Sequence, residues 1–305
     1  MLCYRARMAS LCVFAPAKIN LFLAVTGRRD DGFHDLISLV SPLDWGDTLW
    51  LDTCDGASVD TLACHHPEVP TDATNLVLKA AAAFRRHLET GTPFVHFTLE
   101  KSVPAGAGLG GGSSDAAAAL QGLNQLASHP LSTDKLRACA AEIGSDVPLF
   151  LEGTAVIMSG RGEINEPLPP AARAVLRGRE ILIFKPPFGV PTAWAYRHLR
   201  EHGSKWYVPA ATAGEVLAHW LAEPTWATLP LGNNLEQPVF DKYAALPVLL
   251  DELRASFGLR CRMSGSGSAC FALLDADSPR AAIEQTIRNA WGPEAVIQAT
   301  RLAGN

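Results

Sequence analysis

Ile19, Leu21, Leu23 and Val25 alternate with Lys18, Asn20, Phe22 and Ala24, which predicts a strand over 13–25 with two distinct faces. Lys18 and Asn20 share one of them. Residues 27–32, rich in Gly and Asp, read as a turn, and short apolar runs predict strands at 50–53, 95–100, 153–158, 180–185 and 270–274. Helical spacing appears at 74–88 through Leu76, Ala80, Ala83 and Phe84, and at 115–127 through Ala116, Ala119, Leu120, Leu123 and Leu126. It recurs at 133–143, closed by Gly144, at 192–202, at 240–257 with an interruption at Pro247, and at 279–290. Residues 203–232 carry the weakest signal. Pro167, Pro169 and Pro170 break any period across 164–178 and place a domain boundary near 165, giving domains 1–165 and 166–305. Strands and helices interleave in both halves, so the layers are mixed α and β.

The 305 residues are 48% hydrophobic and 19% charged with a net charge of −5, the composition of a folded chain without the basic footprint of a nucleic-acid binder. No apolar run reaches the length of a bilayer span, so no membrane partner is expected. The start, MLCYRARMASLCVF, has too short an apolar run before Pro16 for a signal peptide, which points to the cytoplasm, and Met8 is an alternative start. Seven cysteines at 3, 12, 54, 64, 139, 261 and 270 form no CxxC pair and read as reduced, mostly core residues. Cys64-His65-His66 and the pair His198/His202 lack partners at zinc spacing and read as surface residues.

The strongest chemical signal is Pro104-Ala-Gly-Ala-Gly-Leu-Gly-Gly-Gly-Ser-Ser-Asp115, between a predicted strand and a predicted helix. Glycines there let backbone N–H groups converge, and a following helix N-terminus adds positive potential, so the run reads as a phosphate cradle. Ser113 and Ser114 can cap the helix or donate to phosphate oxygens. The loop lacks the Walker lysine. Gly106, Gly108 and Gly111 match GxGxxG, but Leu131-Ser-Thr-Asp134, where a dinucleotide fold needs a strand ending in an acid, reads as a helix start. Lys18, flanked by apolar residues, needs a negative partner. Asp146 sits in a turn, where an aspartate most often bonds locally. Arg262-Met-Ser-Gly-Ser-Gly-Ser-Ala269 forms a second small-residue loop, a second wall for an anionic ligand.

Pro16-Ala-Lys-Ile-Asn20, the loop 104–114 and the loop 264–269 together, in this order and spacing, resemble the GHMP kinases. The stretches PAKINLFLAVTGRRDDGFHDL, GLGGGSSDAAAAL, GSDVPLF and GNNLEQPV are similar to one branch whose acceptor is a cytidine-diphosphate-linked methylerythritol. The resemblance runs from about residue 13 to 300. It implies an α+β, two-domain fold with a ribosomal-S5-like N-terminal domain that binds ATP and a ferredoxin-like C-terminal domain. It also implies ATP and Mg²⁺ as cofactors and a small-molecule acceptor phosphorylated on its tertiary 2-hydroxyl.

By the same resemblance Asp146 is the base and Lys18 its companion, and Gly106, Gly108, Leu109, Gly110, Gly111, Gly112, Ser113 and Ser114 wrap the phosphates after Pro104. Asn75, Leu76 and Lys101 lie near the adenosine. His34 reads a cytosine held between Phe33 and Tyr196, and Asn20, Thr192, Gly265 and Gly267 complete the substrate side. No metal ligand is assigned, and monomer and homodimer both stay open. Two other readings stand beside this one. Another GHMP kinase, of homoserine or mevalonate type, would lack the aromatic clamp, and a catalytically silent nucleotide-binding regulator would not need Lys18 and Asp146.

Overall fold

The computed structural model describes residues 10–54, 56–88 and 92–304; the alternative start at Met8 and Cys3 lie outside them. The chain divides into two compact units that interleave along the sequence. The first holds residues up to 17, 46–105 and 111–151, and the second 18–45, 106–110 and 152 onward. Two long strands, β1 (Ser10–Arg28) and β2 (His34–Cys54), contribute residues to both.

In the first unit β3 (Thr61–Cys64) runs parallel to β4 (Phe94–Glu100), and β4 pairs antiparallel with Thr48–Cys54 of β2. Its helices include α1 (Leu76–Arg86), α2 (Gly111–Leu126) and α3 (Thr133–Ile143). Leu49, Leu51, Val95, Phe97 and Leu99 from the strands are buried, as are Val77, Ala80, Phe84, Ala116, Leu120 and Leu123 from the helices. Burying a side chain such as Phe84 or Phe97 contributes about 2–3 kcal/mol. Asn75 caps α1 by accepting from the Val77 N–H at 2.8 Å, and Ser132 caps α3. A four-residue α4 (Leu149–Glu152) follows the turn that carries Asp146.

In the second unit β5 (Val156–Ser159) pairs with Ser38–Val40 of β2 and with β6 (Ile164–Pro167), and after it come α5 (Pro170–Leu176) and β7 (Glu180–Lys185). Next are α6 (Thr192–Glu201), α7 (Ala210–Ala222), β8 (Gly232–Asn233), α8 (Glu236–Lys242) and α9 (Ala245–Phe257). The unit ends with β9 (Cys261–Met263), β10 (Cys270–Leu273), α10 (Arg280–Trp291) and β11 (Val296–Arg301). β8 lies parallel to β1 at Phe22 and Leu23. A separate antiparallel sheet has the order β11-β7-β10-β9, with helices in the chain between β7 and β9 and between β10 and β11. That is the ferredoxin-like βαββαβ arrangement.

Four expectations change. β2 is far longer than residues 50–53, because Ser38–Pro42 are buried on both faces and show no alternation. α2 begins at Gly111 rather than Asp115, since its first turn is glycine and serine, which carry no apolar period. The expected helix 240–257 is two helices broken at Tyr243–Ala244, and Pro247 lies in the first turn of α9, where its missing N–H has no intrahelical partner to lose. The weak segment contains α7, which buries Ala213, Leu217 and Trp220. Cys139, Cys261 and Cys270 are buried, whereas Cys54 and Cys64 are partly exposed and Cys12 is exposed. Among the described residues no helix is long and apolar enough to cross a membrane.

Candidate functional site

The second unit brings together most of the residues singled out in the sequence. Lys18 and Asn20 are buried on one face of β1, and the Lys18 ammonium donates to Asn20 Oδ1 at 2.7 Å. Asn20 Nδ2 in turn donates to the Ser38 hydroxyl at 2.8 Å. Beside them the two small-residue loops interlock. The Lys18 N–H donates to the Leu109 carbonyl (2.9 Å), the Ala269 N–H to the Ala107 carbonyl (3.0 Å) and Ser264 Oγ to the Gly108 carbonyl (3.1 Å).

Glycine is required at this crossing. Gly106, Gly108 and Gly110 all have positive φ, and a Cβ at Gly108 would stand 2.3 Å from the Ser264 carbonyl oxygen. A Cβ at Gly265 would come within 3.3 Å of Asn20 Oδ1. Gly267 also has positive φ, and Thr192 shares a hydrogen bond of 2.8 Å with Ser266 in the same loop.

His34 opens β2 with its ring 5.1 Å from Tyr196 and 6.1 Å from Tyr207. Burial, reinforced by Arg200 and Arg28, holds its pKa below the usual value, so the ring is neutral at pH 7. Its Nε2 is buried without a hydrogen-bond partner among the described residues. Phe33 is half exposed, with the Arg161 guanidinium 5.0 Å from its ring centroid.

The first unit holds the remaining candidates. Gly111, Gly112, Ser113 and Ser114 form the first turn of α2, where helix N–H groups have no intrahelical acceptor. Ser114 Oγ is buried and unpartnered among the described residues. Leu76 opens α1 and stands 3.6 Å from the Cβ position of Gly112. Pro104 lies in the loop and Asp146, half-buried, in the turn after Gly144. Lys101 is buried, and its ammonium bonds the carboxylates of Asp47 and Asp115. Burial lowers the Lys101 pKa, but Asp115 and Asp47 outweigh it and the net shift is upward.

Sequence reasoning missed Asp47, Ser38 and Asn233. Asn233 Nδ2 donates to the carbonyls of Met263 (2.9 Å) and Gly265 (2.8 Å) and so pins the second loop; its signal in the sequence is the GNNLEQPV motif, which by itself suggests no role for the asparagine. His198 and His202 are not simply solvated. His198 stacks on Trp194 and His202 on Trp206. Among the described residues no group of three His, Cys, Asp or Glu side chains is placed to hold a metal ion.

Residues 75–154 match the family model of the GHMP kinases N terminal domain, and residues 221–292 that of the GHMP kinases C terminal. A protein of Synechococcus sp. (strain CC9902) named 4-diphosphocytidyl-2-C-methyl-D-erythritol kinase is 40% identical over 273 residues, covering 87% of each chain. A crystal structure of 4-(cytidine 5'-diphospho)-2C-methyl-D-erythritol kinase superposes with a TM-score of 0.75 at 34% identity, covering 97% of this chain and 100% of that one. A homoserine kinase from Cytophaga hutchinsonii superposes at 0.69 with 20% identity, over 100% and 99% of the two chains, a likeness of fold alone.

Proposed function

Since the chain belongs to the 4-diphosphocytidyl-2-C-methyl-D-erythritol kinase family of GHMP kinases, it is a small-molecule kinase, and we propose a catalytic role for Asp146 and Lys18 in its reaction. The γ-phosphoryl group of ATP passes to the tertiary 2-hydroxyl of 4-diphosphocytidyl-2-C-methyl-D-erythritol. The hydroxyl oxygen forms the new P–O bond, the bond to the β-phosphate oxygen breaks, and ADP leaves. Asp146 accepts the hydroxyl proton. Lys18, directed by Asn20, offsets negative charge as the phosphoryl group transfers. Positioning and charge stabilisation remove most of such a barrier.

The observation that carries this reading is the locked crossing of Gly106–Gly110 with Ser264–Ala269 beside Lys18 and Asn20. Backbone held in positive φ by glycine, without room for a Cβ at Gly108, suits a polyanion approached by main-chain N–H groups. Mg²⁺ bound with the nucleotide would neutralise charge on its phosphates. His34, neutral and with Nε2 unpartnered, presents a donor or an acceptor to a cytosine edge, and the Tyr196 and Phe33 rings offer faces for stacking.

The test is ADP release from purified protein with ATP and Mg²⁺, using the cytidyl compound, homoserine and mevalonate as separate acceptors. Turnover with the cytidyl compound alone is the expected result. Turnover with homoserine or mevalonate instead would overturn the acceptor, and no turnover with any would overturn the kinase reading.

A further inference from the structure

Asp47, Lys101 and Asp115 form a buried ion triad that the phosphoryl transfer itself does not use. Lys101 follows the last residue of β4, and its ammonium bonds Asp47 Oδ2 and, at 2.8 Å, Asp115 Oδ2. The second oxygen of Asp47 accepts the backbone N–H groups of Ser102 (2.6 Å) and Val103 (2.8 Å), the residues that lead into the glycine loop. Asp115 stands one turn into α2. The triad packs against Gly111, where a Cβ would lie 3.2 Å from Lys101 Nζ and 3.4 Å from Asp47 Oδ2. Three side chains, each no more than 5% exposed, thus tie a strand end, the loop entry and the first turn of α2 into one body.

The pairing is incomplete in one respect. Asp115 Oδ1 is buried with no hydrogen-bond partner among the described residues, and so is the neighbouring Ser114 Oγ. Two carboxylates share one ammonium, which leaves a net negative charge out of water unless one acid is neutral. Burial first, and then the Asp47 carboxylate, raise the Asp115 carboxyl to about 7 against the opposing pull of Lys101. The charged side chains of the helices packed on α2 are paired or exposed. On α1, Arg85 pairs with Asp60, Arg86 pairs with Glu142 and Lys79 is exposed; on α3, Asp134, Lys135 and Arg137 are exposed.

We propose that Asp47, Lys101 and Asp115 are positioning residues for the nucleotide, holding the N-terminal turn of α2 ready for phosphates, and that nucleotide binding takes up a proton at Asp115. The proposal rests on the reading that phosphates lie along residues 106–114. Anionic phosphate at a helix N-terminus favours the neutral form of an acid buried one turn behind it, and by linkage the neutral acid favours the phosphate.

The experiment is calorimetric titration of the full-length protein with ADP and Mg²⁺ at pH 7 in buffers of differing ionisation enthalpy, with Asp115→Asn alongside. The asparagine keeps an oxygen for Lys101 but has no proton to gain. The wild type should take up about 0.1–0.5 proton per ADP more than the variant, as expected of a group near half-titration. Equal uptake in the two proteins overturns the proton linkage. Failure of ADP to bind the wild type overturns the nucleotide-site reading instead.

Lys101→Met tests the positioning. It should raise the KM for ATP at least 10-fold while moving the KM for the cytidyl acceptor less than 2-fold, and equal movement of both would reduce the triad to a structural role. If Lys101→Met does not fold, the KM for ATP of Asp115→Asn from pH 6 to 8 decides. A profile flatter than that of the wild type supports the proposal, and an unchanged profile overturns it.

Discussion

The Lys18 ammonium bonds Asn20 Oδ1 at 2.7 Å from two residues away on the same strand, and the Asn20 amide is fixed in turn by the Ser38 hydroxyl at 2.8 Å. Ser38 Oγ donates onward to the Phe22 carbonyl at 2.6 Å, so this contact of the buried ammonium runs through two further side chains anchored on backbone. Lys18→Ala should lower kcat by about 10²-fold or more, on the scale of removing one preorganised charge-stabilising group. Asn20→Ala, which keeps the ammonium but removes its bond to the Asn20 amide oxygen, should cost about 10-fold. Steady-state kinetics at saturating ATP checks both, and a larger effect for Asn20 than for Lys18 would contradict the order of the chain.

Asp146 occupies a turn after the Gly144 end of α3, with its backbone fixed by the N–H of Val147 donating to the Gly144 carbonyl at 3.2 Å. Asp146→Ala should lose at least about 10²-fold in turnover if the carboxylate is the base. ADP affinity, measured separately, should remain. Near-normal turnover would remove Asp146 from the chemistry.

Much of this arrangement was legible because it is local. The alternation that puts Lys18 and Asn20 on one face needs only a window of eight residues, and the glycine run announces its backbone whatever surrounds it. Helices α1 and α3 were readable from their spacing, and α3 also from Gly144 at its end. The Asp47–Lys101–Asp115 triad was not, because its members are 54 and 14 residues apart and each alone is an ordinary charged residue. Most of β2 was hidden for a different reason. Burial on both faces erases the alternation by which a strand is recognised, and Ser38, Ser41 and Asp47 interrupt its apolar run with polar groups that only the folded partners justify.

His34 is held neutral by burial and by the nearby Arg200 and Arg28. His34→Ala should raise the KM for the cytidyl acceptor at least 10-fold and leave the KM for ATP within 2-fold, about 1.4 kcal/mol or more of selective loss. The wild-type acceptor affinity should also weaken as pH falls below the ordinary histidine range, because protonation there removes the ring's acceptor nitrogen. Equal losses for both substrates would count against a base-reading role.

Gly108 and Gly106 separate two ways in which a glycine can matter. Both have positive φ, but a Cβ at Gly106 meets nothing within 4 Å, whereas one at Gly108 strikes the Ser264 carbonyl oxygen. Gly106→Ala should therefore cost about 1–2 kcal/mol of conformational strain. Gly108→Ala should cost more and should also raise the KM for ATP, since the crossing of the two loops must open. Thermal unfolding with parallel kinetics distinguishes them, and similar behaviour of the two variants would argue against the interlock.

Asp115 supplies a pH dependence whose sign is opposite to that of most carboxylates. Its folded carboxyl titrates at about 7 through burial and the neighbouring Asp47, whereas in the unfolded chain it titrates near 4. Between these values the folded protein holds a proton that the unfolded chain has released, so the contribution of this group to stability falls as pH rises. That contribution is fully present below about pH 4 and is lost as pH passes about 7. Asp115→Asn removes the titration while keeping the bond to Lys101. Urea midpoints at pH 5 and pH 8 should therefore show the variant gaining on the wild type at the higher pH, and a constant difference between the two would mean that Asp115 does not carry this proton.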